Sequence, residues 1–131
     1  MKNTLQLQIT SLLSILFVTF HLTSDTLNAR VGSPEAGGST LIAVPILVLW
    51  LCGTLLFPER RSGHIVMLVG GLIAIAMPYF HVVGSAGVFH GTLANSSGPF
   101  LFVWTFHVLG ITGLFSLILA TIGLLRMRRA H

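Results

Sequence analysis

The chain has 131 residues, 53% of them hydrophobic and only 8% charged, with a mean hydropathy of +0.91 and a formal charge of +4. So little charge cannot cover a water-soluble domain of this size, so lipid is the solvent for most of the chain and one small domain is expected. The basic residues flank apolar runs instead of forming a stripe with aromatics, which excludes a nucleic-acid binder, and the lone Cys52 excludes an intrachain disulfide or a thiolate metal cluster.

The first apolar run is Leu5–Leu27. It carries Ser11, Ser14, Val18, His21 and Asp25 at alternating steps of three and four, which puts them on one helical face. A polar stripe on a membrane helix should face protein or water, not acyl chains, so this face is expected to turn into a bundle. A cleaved signal peptide is the competing reading: Lys2, the apolar stretch and "LNA" before Arg30 supply its three parts. Against it stand the large Leu27, where a small residue is preferred, and the long polar tail from His21. Cleavage would remove both His21 and Asp25.

The second run is Leu41–Phe57, with Pro45 early and Trp50 near the middle, where an indole reads as packing. The short "PERRSGH" that follows makes the second and third runs an antiparallel hairpin. The third run, Ile65–Val83, holds Gly70, Gly71 and Pro78; the proline should kink it near its far end. The fourth, Phe100–Leu125, exceeds the bilayer core and must tilt or continue past it. Thr112, Gly113, Ser116 and Ala120 form its small-residue, helix-packing face, expected to receive another membrane protein. Tyr79 and Trp104 read as anchors at the membrane boundary.

All four runs are near or above the length that crosses a bilayer as a helix, and only a helix satisfies its own backbone there. Lys2, Arg60, Arg61, Arg126, Arg128 and Arg129 then fall on one side, and Arg30 alone on the other. The positive-inside tendency makes the first side the cytoplasm. The expected fold is an all-α membrane protein: an up-down bundle of four transmembrane helices, both termini cytoplasmic. The Gly-, Ser- and Pro-rich segments 28–39 and 84–99 are its outer loops.

This topology brings His21, Asp25, His81 and His107 near one outer level, with His90 in the loop above. At the helical rise, His81, His21 and His107 lie about 3, 9 and 10 Å below the outer boundary. Imidazole and carboxylate together suit Zn, Cu or Fe, making His21, Asp25, His81, His107 and His90 candidate metal ligands. His21, His81 and His107 are equally candidates for haem or a chlorophyll-type pigment. A His–Asp pair also suits a proton relay, or simply a charge-neutralising interfacial contact. His64 and His131 lie at the opposite end and cannot join.

The stretches "FHLTSD", "LVLWLCGTLLFPERRSGHIVMLVGGL", "MPYFH" and "FVWTFHVLGITGLFSLILA" resemble a group of uncharacterised small four-span bacterial membrane proteins with H-L-T-x-D at the end of the first span. The resemblance implies the span count and a bacterial membrane, and no activity. With no catalytic constellation visible, the expected function is non-enzymatic: an accessory or packing subunit of a larger membrane complex, or a self-associating bundle. Its partners would be lipid and another membrane protein or itself. The alternative is a redox, metal- or haem/pigment-binding protein using the outer His/Asp group. A small proton-linked transporter ranks third, because the inner half of the later runs offers almost nothing ionisable.

Overall fold

A long apolar segment in lipid has no water to satisfy its amides, so it coils and pairs each N–H with its own chain. The computed structural model describes residues 2–28, 34–84 and 97–129, with side chains described in 3–23, 42–79 and 104–129. These residues form four helices and no strand: α1 (Lys2–Asn28), α2 (Pro34–Leu56), α3 (Arg61–Gly84) and α4 (Ser97–Arg129). Each helix runs past its expected apolar run at one or both ends. Pro34 is the first helical residue of α2, where its missing N–H costs nothing.

Three helices contain segments long and apolar enough to cross a membrane: Asn3–Thr23, Arg61–Tyr79 and Trp104–Arg129. The described apolar part of α2, Ile42–Leu56, is shorter. At the helical rise it covers about 22 Å, less than the roughly 30 Å of a hydrocarbon core.

Sequence neighbours run antiparallel. Ser11 of α1 meets Thr54 near the end of α2, Trp50 of α2 meets Gly70 of α3, and Gly71 of α3 meets Gly113 of α4. Ser14 of α1 meets Thr112 of α4, which closes the ring. The most extensive pairings are α3 with α4 and α1 with α4; α2 is the least engaged helix, and α1 touches α3 across the centre.

The α3–α4 contact is a backbone-to-backbone approach. A Cβ added to Gly113 would lie 2.7 Å from the Ala74 Cβ and 3.0 Å from the Gly71 carbonyl oxygen. One added to Gly71 would lie 2.9 Å from the Gly113 oxygen. Only glycine allows that separation, and the reward is dispersion contact along both helices.

Burial is inverted relative to a water-soluble domain. Ser11, Ser14, Thr54 and Ser116 are fully buried, while Phe20, Leu49 and Ile111 on the perimeter are more than half exposed. Large apolar side chains outside and hydroxyls inside are what lipid as solvent favours, since a chain gains nothing by hiding leucine from hydrocarbon. Two small apolar clusters complete the core: Leu7, Met67 and Ala120 near the α2–α3 turn, and Val18, Trp50, Ala74 and Leu109 further along.

Candidate functional site

The buried polar residues form a seam along the bundle axis. Its α1 side is the expected stripe: Ser11, Ser14, Val18 and His21 are all buried, and Leu7 extends it backwards by one turn. The three-four spacing accounts for this, since it holds one face of α1 towards the other three helices.

At the level of Ser11 the seam joins α1 to α2. The Trp50 indole Nε1–H donates to Ser11 Oγ at 2.8 Å. The Thr54 hydroxyl donates to the Trp50 carbonyl oxygen at 2.9 Å. That uses the only hydrogen of Thr54, so in the 2.8 Å contact between Ser11 Oγ and Thr54 Oγ1 the serine must be the donor. Three groups thus form a closed circuit with each hydrogen assigned. Gln8 Nε2 adds a bond to the Thr54 carbonyl oxygen at 3.1 Å. The indole fits because Gly70 of α3 lies under it; a side chain at 70 would strike the ring.

One turn further along, the seam joins α1 to α4. Thr112 Oγ1 donates to the Leu109 carbonyl oxygen at 3.2 Å and accepts from Ser14 Oγ at 3.0 Å. Ser14 also reaches the Thr10 carbonyl oxygen at 3.0 Å, so its one hydrogen is shared. Ser116 of α4 donates to the Met67 carbonyl oxygen of α3 at 3.3 Å. The small-residue face of α4 is therefore used within the chain: Thr112, Gly113, Ser116 and Ala120 are all buried. Helices α1 and α3 pack against this face.

Of the outer histidines, the side chains of His21 and His107 are described, and they differ in burial. His21 is buried, its ring 4.5 Å from the Phe106 ring centroid of α4. His107 follows Phe106 by one residue, about 100° around the helix, and is exposed. Asp25 and His81 lie on α1 and α3, but their side chains, and all of His90, lie outside the described residues. Among the described residues no group of three or more His, Cys, Asp or Glu is arranged to hold a metal ion. Of the two glycines that follow His107, Gly113 is filled by Gly71 and Ala74, whereas a Cβ at Gly110 would meet only the Pro78 ring, at 3.8 Å.

Sequence reasoning missed two participants. Thr54 follows Trp50 by one turn, a spacing visible in the sequence but masked by the apolar residues around it. His64 sits at the turn end, where an imidazole is expected at the surface, yet it is only 4% exposed. Its ring lies against Gly123 of α4, and its Nδ1 is 3.2 Å from the Arg60 carbonyl oxygen.

Near the other end, Trp104 stacks edge-on to Phe17 with ring centroids 6.2 Å apart, and both Trp104 and Tyr79 are exposed on the perimeter. No family model matches the chain, and no curated protein or solved structure is detectably similar to it.

Proposed function

We propose that the chain is a non-enzymatic, four-span protein of the bacterial inner membrane with both termini in the cytoplasm. It works as an accessory packing subunit of a larger membrane complex or as a self-associating bundle. The observation that carries this reading is the closed seam. The hydroxyl hydrogens of Thr54 and Thr112 end on backbone carbonyls, and the indole of Trp50 ends on Ser11. Groups bonded in this way bind helices together, with their donor hydrogens already engaged. This also weighs against the transporter reading, which needs a polar path across the bilayer.

The whole of α2 has 23 residues, about 34 Å at the helical rise, which suffices for a fourth span when its polar first turns reach the headgroups. The arginines of the α2–α3 turn and of the end of α4 support a cytoplasmic turn and C-terminus. Because the small-residue face of α4 is used internally, partners would meet the apolar perimeter.

One observation favours the runner-up, a redox, metal- or haem/pigment-binding protein: His21 is a buried imidazole in the half of the bundle where the sequence gathers His81, His90 and His107. Purification in mild detergent, with an absorbance spectrum, metal analysis and a light-scattering mass on one sample, separates the two. The proposal expects a colourless, metal-free protein that is larger than one chain. A haem or pigment band, or near-stoichiometric Zn, Cu or Fe lost in His21→Ala, would replace it with the runner-up. For topology, a reporter fused after His131 should be cytoplasmic; an external signal would overturn the orientation.

A further inference from the structure

The end of the bundle at the α2–α3 turn carries an unbalanced charge. Arg60, Arg61, Arg126, Arg128 and Arg129 are all exposed there, and Glu59 is the one carboxylate among the described residues at that end. The chain's other two acids, Asp25 and Glu35, belong to the opposite ends of α1 and α2.

His64 joins the two arginine groups, which are far apart in sequence. The His64 N–H donates to the Arg60 carbonyl oxygen at 3.1 Å, and its Nδ1 lies 3.2 Å from the same oxygen. The other side of its ring rests on Gly123. Arg60 therefore stands one turn before this contact, immediately ahead of α3, and Arg126 is nearly one turn after it on α4. The two helices are antiparallel, so both steps lead to the same end. Residues three apart share a helix face, so Arg126 stands above Gly123 on the side turned to the start of α3.

Two further features set the depth. The Arg60 guanidinium carbon sits 5.6 Å from the centroid of the Phe57 ring, which parks the charge at an apolar edge. Leu56, Phe57 and Leu125, within a turn of these arginines, are 67%, 39% and 50% exposed. Exposed apolar side chains thus give way to guanidinium groups over a single turn. The planar donor fork of a guanidinium group matches phosphate oxygens.

We infer that Arg60, Arg61 and Arg126 form a headgroup site for an anionic phospholipid, with its phosphate on the guanidinium groups and its acyl chains along Leu56, Phe57 and Leu125. Arg128 and Arg129 add long-range attraction. The inference rests on the membrane reading above, and it names the lipid class that this end of the bundle holds.

Native mass spectrometry of the full chain in mild detergent tests it, with phosphatidylglycerol, phosphatidylcholine of the same acyl chains, and inorganic phosphate as probes. Phosphatidylglycerol should be retained at least about tenfold better than phosphatidylcholine, and inorganic phosphate should not displace it. Arg60→Gln and Arg126→Gln should each lower retention about fivefold, the worth of one basic residue at a lipid surface. Arg30→Gln, in the opposite set of loops, should leave it unchanged. Equal retention of the two lipids, displacement by inorganic phosphate, or an equal loss in Arg30→Gln would each overturn the site. A protein recovered without detergent would instead refute the membrane reading itself.

Discussion

Helices α2 and α4 are both strongly apolar, yet they stand in the bundle in opposite ways. Helix α4 packs against α1 and α3, with Phe106, Leu109, Thr112, Gly113, Ser116 and Ala120 buried along one face. Helix α2 lies at the margin, and among its described side chains only Trp50, Gly53 and Thr54 are buried. Its Ile42, Val48, Leu49 and Leu55 are all more than half exposed. In both helices the inward positions are enriched in small and hydrogen-bonding residues, and most of the large aliphatic ones face out. Hydrophobicity therefore does not mark the core of this protein; small size and hydrogen-bonding capacity do, as expected when lipid is as apolar as leucine.

The contrast can be broken most forcefully at the bulky inward residue of α2. Trp50→Ala should destabilise the bundle by about 3 kcal/mol, from the cavity over Gly70 and the loss of a partner for Ser11. Thermal unfolding in detergent measures it, and a loss no greater than that of a perimeter change would remove Trp50 from the core. Gly113→Leu comes next, at about 2–3 kcal/mol, because a side chain there must push α3 away from α4. Ser14→Ala should cost only about 0.6 kcal/mol, the usual worth of an interhelical hydrogen bond in a membrane, since Thr112 keeps its bond to the Leu109 carbonyl. Leu49→Ala, on the exposed side of α2, should stay within about 0.5 kcal/mol of the parent. If Leu49→Ala cost as much as Gly113→Leu, the difference between the two helices would vanish.

Much of this architecture is legible in the sequence, for reasons that belong to particular residues. The four helices follow from apolar runs bounded by Gly, Ser, Pro and Arg. The inward face of α1 follows from Ser11, Ser14 and His21, because polar groups on a membrane helix face acyl chains only at a cost. The inward face of α2 is harder to find. Thr54 is one hydroxyl among leucines, and its role depends on Trp50 and Ser11, which only the folded chain brings near it. His64 is hidden for a similar reason: its burial is made by Gly123, far along the chain. The outer histidines show the limit of arguing from depth alone. His21 and His107 lie at similar depth, but depth does not fix azimuth, and one residue of rotation puts Phe106, not His107, against His21.

The central claim is that the polar face of α1 is enclosed by protein. The most direct measurement compares Ser14→Cys with Leu16→Cys, each in a Cys52→Ser background, for labelling in native membranes by a carbene released from a lipid-phase diazirine on illumination, read residue by residue by mass spectrometry. Both positions lie at nearly the same depth on one helix, but Ser14 is fully buried and Leu16 is 45% exposed. Position 16 should label readily and position 14 almost not at all. Labelling at position 14 as fast as at position 16 would mean that the stripe faces lipid, and the seam would not exist as described.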